Sequence, residues 1–407
     1  MKFDLFKLNS KEDKPKGWIW VKFNSELLRK EYKKLLKKRQ QNLIGKEISN
    51  NLNAGFSTVV KHLIKLKNSR HNLILPLPII IEMIKLTNPN LKNKIIKNFK
   101  LFISKFDRSN QGITAVKKLD EKLASIIGAH MADGYLQKNN NEYRLKICDG
   151  REDIIRRYSE HIKYIFSKKA IVGYQVRFNN KYWICWFNSK IIGRYFEKIF
   201  DIPTGKKFDI AKEPELVKKS NFKIRKAFAK GVMDFDGGVK ASGMVALTSM
   251  SKQLIDNIYE ILSLDGISVN KKYNKKKKSW QIESRSGRKK EYLRKWLDYF
   301  EKGTWKYNRL KFFLDNKSYS IEQLEYLFPK HHRSKIQIRD VYRNIYNTKK
   351  SKIKDIVMGL RKDNLKVADT TIYKYLHLLE KSGLIRKEGV KITDGKYWWS
   401  ETLYKLR

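Results

Sequence analysis

Two aspartates carry the chemistry that this sequence is equipped for. Asp133 ends the apolar run Leu123-Ala124-Ser125-Ile126-Ile127-Gly128-Ala129-His130-Met131-Ala132, and Gly134 follows it. Asp236 ends Phe228-Ala229-Lys230-Gly231-Val232-Met233-Asp234-Phe235, and Gly237 follows. In each run a glycine stands five residues before the acid, Gly128 in the first and Gly231 in the second. Leu123, Ile127 and Met131 recur at helical spacing with Ile126 beside them, so the first run predicts a helix. Asp120 is placed to cap it, and Glu121 falls in its first turn. At the other end the helix dipole repels an anion. A carboxylate there serves a cation better than it serves the helix. Gly128 and Ala132, four apart, would let a second helix approach closely. Gly134 is expected to leave the helix with a positive φ. The acids lie about one small domain apart, which reads as a duplication into two half-domains facing each other.

Such a pair of acids suits phosphodiester hydrolysis. That reaction needs an activated water and shielding of developing charge, which two divalent ions held by acids and the scissile phosphate supply. Mg²⁺ takes a few carboxylates, waters and phosphate oxygens rather than a full protein cage. Mg²⁺, or another divalent cation such as Mn²⁺, is therefore the expected cofactor. Asp133 and Asp236 would be its side-chain ligands, with the carbonyls of Ala132 and Phe235 at the helix ends. Taken singly, each aspartate reads equally well as a helix C-terminal turn residue; the recurrence favours the metal.

Ile126–Gly134 and Ala229–Gly237 resemble the paired dodecapeptide motifs of LAGLIDADG homing endonucleases. Phe200-Asp201-Ile202-Pro203-Thr204-Gly205-Lys206-Lys207, followed by Pro214, resembles the joint between that family's two repeats. Gly303-Thr304-Trp305-Lys306-Tyr307-Asn308-Arg309-Leu310 resembles its closing basic stretch. The resemblance runs from Leu119 to Phe328, with two departures: Met131 where many members have an acid, and Phe235 where a small residue is usual. It implies an α+β fold, a pseudo-two-fold pair of αββαββα half-domains forming a DNA-binding saddle. It implies a monomeric, metal-dependent endonuclease that cuts both DNA strands at a long site and leaves 3′ overhangs. A basic residue near each acid is also implied; the matching positions are Lys212 and Lys306, with Lys207 and Arg309 as rivals. The same fold serves transcriptional regulators that have lost catalysis and maturases that bind intron RNA. Both remain alternatives.

The charge agrees with a nucleic-acid partner. Among 407 residues, 90 are Lys or Arg and 41 Asp or Glu, a net charge of +49, which calls for a polyanion. An AT-rich coding bias would raise lysine, but it accounts less well for twice as many bases as acids. The apolar run Leu73–Ile84 holds Pro76, Pro78 and Glu82 and cannot span a membrane. The opening Met1-Lys2-Phe3-Asp4 lacks a signal-peptide pattern. Cys148 and Cys185 sit in apolar contexts with no Cys/His cluster, which excludes a zinc module and fits a reduced, intracellular setting, cytoplasm or nucleoid.

Four segments are expected: 1–117, a helical N-terminal module; 118–214 and 215–330, the two repeats; and 331–407. The first holds a helix-turn-helix-like stretch, Glu47–Leu63. Ile48, Leu52, Val60 and Leu63 would face inward, Ser57 would cap the second helix, and Thr58, Lys61 and His62 would reach a groove. An ordinary helical hairpin is the alternative. Lys105–Lys118, with Ser109-Asn110-Gln111-Gly112, is the polar connector. After Asp133 the pattern alternates. Tyr143, Leu145 and Ile147 oppose Glu142, Arg144 and Lys146. Hairpins are expected over Tyr174–Phe187, turning at Asn179-Asn180, and over Val269–Arg285, turning at Lys275–Lys278. Arg144, Lys146, Gln175, Arg177, Lys240, Gln281 and Arg285 are the expected DNA contacts, Arg and Gln reading bases and lysines binding phosphate. The last segment resembles a winged helix. Its recognition helix would start near Thr370, with Tyr373 and Lys374 outward and Ile372, Leu376 and Leu379 inward. The wing, Ile392–Trp399, would turn at Asp394-Gly395. A plain three-helix cap is the alternative.

Overall fold

A computed structural model describes residues 2–10, 12–69, 71–107, 112–140, 142–177, 180–285, 290–329, 336–348, 350–362, 369–393 and 398–406. The chain divides into two compact units. One is Met1–Asp236 with Thr248–Ile261 and Tyr273–Trp280; the other is Gly237–Leu247 with Leu262–Lys272 and Gln281–Arg407. The architecture is mixed, with helices packed on antiparallel sheet.

The N-terminal segment, expected to be helical, is not all helix. It contains a four-stranded sheet of β1 (Trp20–Asn24), β2 (Asn72–Pro76), β3 (Phe99–Ile103) and β4 (Ile113–Thr114), in the order β2-β1-β3-β4. Val21, Phe23, Leu75, Phe99, Phe102 and Ile113 are among its buried side chains. No strand exceeds five residues, and helices separate β1 from β2 and β2 from β3. Alternation that short is hidden among lysines. The run Leu73–Ile84 splits at Pro76: β2 ends there, and Leu77–Thr87 is a helix with Pro78 in its first turn, where the missing N–H costs nothing.

Helices Gln41–Leu52 and Phe56–Asn68 are joined through Asn53, whose φ of 45° makes the turn. Ile48, Val59 and Leu63 face inward. Gly55, not Ser57, stands at the second helix's N-cap. Lys61 is exposed, but His62 is not. The His62 ring packs edge-on to Trp20 at 5.1 Å, and burial, reinforced by Lys65 and Lys61, pushes its pKa down to about 4. It is a core residue on the buried face of its helix, with Val59, Leu63 and Leu66, and not on a groove-facing one.

The two central segments repeat one order of elements. The first runs helix Glu121–Asp133, β5 (Gly134–Asn139), β6 (Glu142–Asp149), helix Glu152–Phe166, β7 (Ile171–Arg177), β8 (Asn180–Asn188), helix Lys190–Arg194. The second runs helix Phe222–Phe235, β9 (Gly237–Val239), β10 (Val245–Ser249), helix Lys252–Leu264, β11 (Val269–Asn274), β12 (Ser279–Ser284), helix Lys290–Trp296. The sheet orders are β5-β6-β8-β7 and β9-β10-β12-β11, the same topology twice. On β6, Tyr143, Leu145 and Ile147 are buried while Glu142 and Arg144 are exposed and Lys146 is half-buried. The Asn179 of the first hairpin turn lies outside the described residues.

The C-terminal elements are helix Ile338–Thr348, β13 (Lys350–Lys352), helices Ile353–Lys362 and Asp369–Lys381, β14 (Ile385–Thr393) and β15 (Trp398–Leu406), with sheet order β13-β15-β14. Ile372, Leu376 and Leu379 are buried, and Tyr373 and Lys374 are exposed. Asp394-Gly395, the expected wing turn, lies outside the described residues.

Candidate metal and nucleic-acid site

The helices that end in the acids begin alike. Asp120 Oδ1 accepts from the Leu123 amide at 2.8 Å, and Asn221 Oδ1 accepts from the Ile224 amide at 3.1 Å. Each cap satisfies an amide that the helix itself leaves without a partner. The two helices then meet backbone to backbone. A Cβ on Gly128 would lie 2.0 Å from the Phe228 carbonyl oxygen; a Cβ on Gly231 would lie 2.0 Å from that of Ser125. The contact is reciprocal, glycine against the residue three before the other glycine. The close approach therefore uses Gly128 and Gly231 rather than Gly128 and Ala132. Phe235 does not wedge the pair apart, since its ring packs edge-on to Tyr158 at 6.2 Å.

Gly134 is glycine for a reason other than the expected one. Its φ is −76°, ordinary extended backbone, because the chain passes straight from the helix into β5. A Cβ there would sit 2.3 Å from His130 Nδ1. His130 is fully buried, edge-on to Phe196 at 4.9 Å, with no hydrogen-bond partner for either ring nitrogen among the described residues. Burial, with Lys207 nearby, drives its pKa well below the usual range and keeps the ring neutral.

Tight packing leaves Asp133 exposed and Asp236 half-buried. Lys207 meets them. Its Nζ donates to the carbonyls of Met131 and Ala132, 2.7 Å each. Burial lowers its pKa to about 8, while Asp236 and Asp133 pull the other way. The linker that carries Lys207 is pinned at several points. Gly205, at φ +80°, donates its amide to the Leu136 carbonyl at 2.8 Å, and Ser251 Oγ donates to the Ala211 carbonyl at 2.5 Å. Arg225 grips Glu213 through both carboxylate oxygens, 2.8 Å each.

The two carboxylates and the helix-end carbonyls at this locus are oxygen donors, and it already attracts a buried ammonium, so a hard divalent cation fits its chemistry. Among the described residues no cluster of three or more His, Cys, Asp or Glu forms a metal site. A cation here would draw on two carboxylates and complete its shell with water and phosphate oxygens. The Ala132 carbonyl, expected as a ligand, accepts from Lys207. Phe235 is buried on the second helix. Lys212 is half-buried further along the linker, and Lys306 is buried in helix Trp305–Leu314 of the other unit. Arg309 is committed to structure: Nη1 donates to the Val239 carbonyl at 2.7 Å and Nε to that of Leu327 at 2.6 Å, with the guanidinium over Trp305 and Phe328.

The expected DNA contacts fall on the two sheets or just past their strand ends, Lys240 after β9 and Arg285 after β12. Arg144, Lys146 and Gln175 line one concavity with Tyr174, Ile184 and Trp186. Arg144 Nε donates to Asn188 Oδ1 at 3.2 Å. Arg177 is placed opposite Asn180 by register, and its side chain lies outside the described residues. On the second sheet Glu283 is a hub. Lys240 Nζ and Gln281 Nε2 donate to its Oε1 at 2.5 and 2.8 Å, and Lys272 Nζ to its Oε2 at 2.6 Å. Arg285 Nε donates to Asn270 Oδ1 at 2.7 Å. Sequence reasoning gave Glu283 and Lys272 no role. Their signal was an acid alone at the centre of a basic hairpin. Lys207 stood only as a rival, because a lysine-rich linker offers too many matches.

No protein-family model matches the chain, and no curated protein matches it. Solved LAGLIDADG structures are similar to it at low identity. The homing endonuclease I-DmoI in complex with DNA and Ca shares 16% identity at a TM-score of 0.35, covering 44% of this chain and 92% of that one. The homing endonuclease I-WcaI bound to its DNA recognition sequence shares 14% at 0.33, covering 53% and 89%. The N-terminal LAGLIDADG domain of DUF199/WhiA shares 10% at 0.32, covering 51% and 86%.

Proposed function

We propose that the chain is a monomeric, divalent-cation-dependent, site-specific double-strand DNA endonuclease of the homing type. The reciprocal glycine packing carries this reading: it delivers one carboxylate from each repeat to a place that also holds Lys207. Asp133 and Asp236 would hold the metal, one for each strand, with the carbonyl of Phe235; the Ala132 carbonyl is engaged by the Lys207 ammonium. A bound divalent ion supplies a polarised water and shields the charge that develops on phosphorus. Lys207, anchored through two carbonyls, keeps a third proton for the scissile phosphate or its water. Lys212 and Lys306 are the basic residues that the family pattern would place in each site. Arg144, Lys146, Gln175 and Arg177 would read one half-site, and Lys240, Gln281 and Arg285 the other. The cut would be staggered, with 3′ overhangs.

The flanking segments would lengthen the footprint. In the 1–117 segment we read helices Gln41–Leu52 and Phe56–Asn68 as a helix-turn-helix, with Lys61 exposed on the second. In the 331–407 segment, helix, strand, helix, helix, strand, strand is the order of a winged helix, with Tyr373 and Lys374 outward on the third helix. These flanks also favour a second reading, a DNA-binding regulator without catalysis.

Cleavage of a plasmid library with Mg²⁺ separates the two readings. Wild type is expected to make rare double-strand cuts. Asp133→Asn or Asp236→Asn should abolish cutting or leave nicks, with duplex binding retained. Lys207→Met should slow cutting on at least one strand. Tight binding to a selected duplex without metal-dependent cutting would establish the regulator. Binding that requires intron RNA would establish a maturase.

A further inference from the structure

The cluster on the second sheet is unusual for a surface meant to meet a polyanion. Glu283 sits at its centre with a side chain only 14% exposed, and three donors converge on it. An acid that neutralises two lysines weakens phosphate attraction. Its presence needs a gain elsewhere, and the chemistry of Gln281 supplies one.

A carboxylate accepts hydrogen bonds and cannot donate them. Gln281 must therefore turn its NH₂ end towards Glu283, which fixes the order of its amide. Among the described residues the carbonyl oxygen and the second amide proton are left for a partner, in a set sequence. That pair matches the N6–H donor and N7 acceptor of adenine in the major groove. Lys240 and Lys272, both well exposed, are paired with the same carboxylate, so Glu283 competes with phosphate for each ammonium.

We propose that Glu283 is the specificity-determining residue of the second sheet. It fixes the amide of Gln281 to read adenine and restrains Lys240 and Lys272 from indiscriminate phosphate binding. The proposal rests on duplex DNA being the partner of this face, as in the endonuclease reading, but it does not require cleavage.

The test is binding of the full-length protein to random-sequence duplex across a salt series, with base preference read by selection from a randomised duplex pool. In Glu283→Gln both lysines are released to phosphate. Random-duplex binding should tighten, and the slope of log K against log salt should steepen by about 1 to 2, since each new phosphate contact adds roughly 0.9. The adenine preference at one position should fall about tenfold, within the range expected for one bidentate base contact. Gln281→Ala should lose the same preference and leave the slope unchanged. Lys272→Met covers the case in which Glu283→Gln does not fold. Because Lys272 is held by Glu283, its loss should leave the random-duplex slope at the wild-type value. A Glu283→Gln protein with wild-type slope and wild-type preference overturns the proposal. So does a slope that falls by about 0.9 in Lys272→Met. Absence of cleavage with these binding shifts intact would remove the endonuclease reading and leave the role of Glu283 standing.

Discussion

Asp107 shows how much a single residue's surroundings outweigh its type. Its side chain is buried, Ser189 Oγ donates to Oδ1, and Lys168 Nζ donates to its carbonyl at 2.6 Å. Burial raises its pKa from 3.8 to about 6, more than Ser189 and Lys168 lower it. The folded state therefore binds the proton more tightly than the unfolded state. Stability from this group is fully present below about pH 3.8 and is lost as pH rises through about 6. Asp107→Asn should remove that loss. The variant should show a flatter thermal midpoint between pH 4 and 6, and it should be more stable than wild type at pH 7 by up to about 3 kcal/mol. Equal midpoints at pH 7 would show that the carboxylate is not strained by its burial. Nothing in the sequence around Asp107 marks it, since Ser189 and Lys168 come from the far side of the first repeat. Asp133 is the opposite case. Its position after an apolar helical run was legible, because helix periodicity and capping are local.

At the scale of elements, the packing of the two acid helices turns on a pair of glycines. Gly128→Ala or Gly231→Ala would drive a methyl group to 2.0 Å from a carbonyl oxygen. No rotamer relieves a clash between Cβ and backbone, so the helices must separate. The expected cost is about 3 kcal/mol or more, beyond ordinary overpacking. Chemical denaturation would measure it. Wild-type stability in either variant would mean that the helices do not meet at these glycines. The repeated order of helices and strands was also readable, because each hairpin alternates over enough residues to show. The N-terminal sheet was not, because its strands are short and pair across intervening helices. His62 shows the same limit on a smaller scale. The helix was legible, but its phase was set by Trp20 on β1, and local periodicity carries no record of a strand so far away.

At the scale of the whole molecule, the N-terminal segment is locked onto the first repeat. Asp13, Lys190 and Arg194 form a buried ion set. Lys190 Nζ donates to Asp13 Oδ1 at 2.8 Å, Arg194 Nη2 donates to the same oxygen at 2.8 Å, and Nη1 donates to the Leu8 carbonyl at 2.8 Å. The Phe3 amide donates to the Lys117 carbonyl at 2.9 Å, and the Tyr195 hydroxyl to that of Val116 at 2.9 Å. Asp13→Asn would leave two cations buried beside one neutral amide. Breaking a buried ion set this way costs roughly 3 to 5 kcal/mol. Amide hydrogen exchange at Phe3 and along β4 should quicken; unchanged protection there would mean that the segment is held by its apolar contacts alone.

The sequence by itself determined the two acid-ending helices, the duplication, the alternating hairpins and the large positive charge. All of these follow from periodicity, capping and charge, which act over a few residues or over the sum of all of them. The tertiary structure decided that Lys207 is the lysine held at the end of the Asp133 helix and that Gly128 pairs with Gly231. It also decided that Glu283 gathers three donors and that Asp13 anchors the N-terminus. Each of those depends on which distant segments share one volume of space, and the chain settles that only when its apolar faces close on one another.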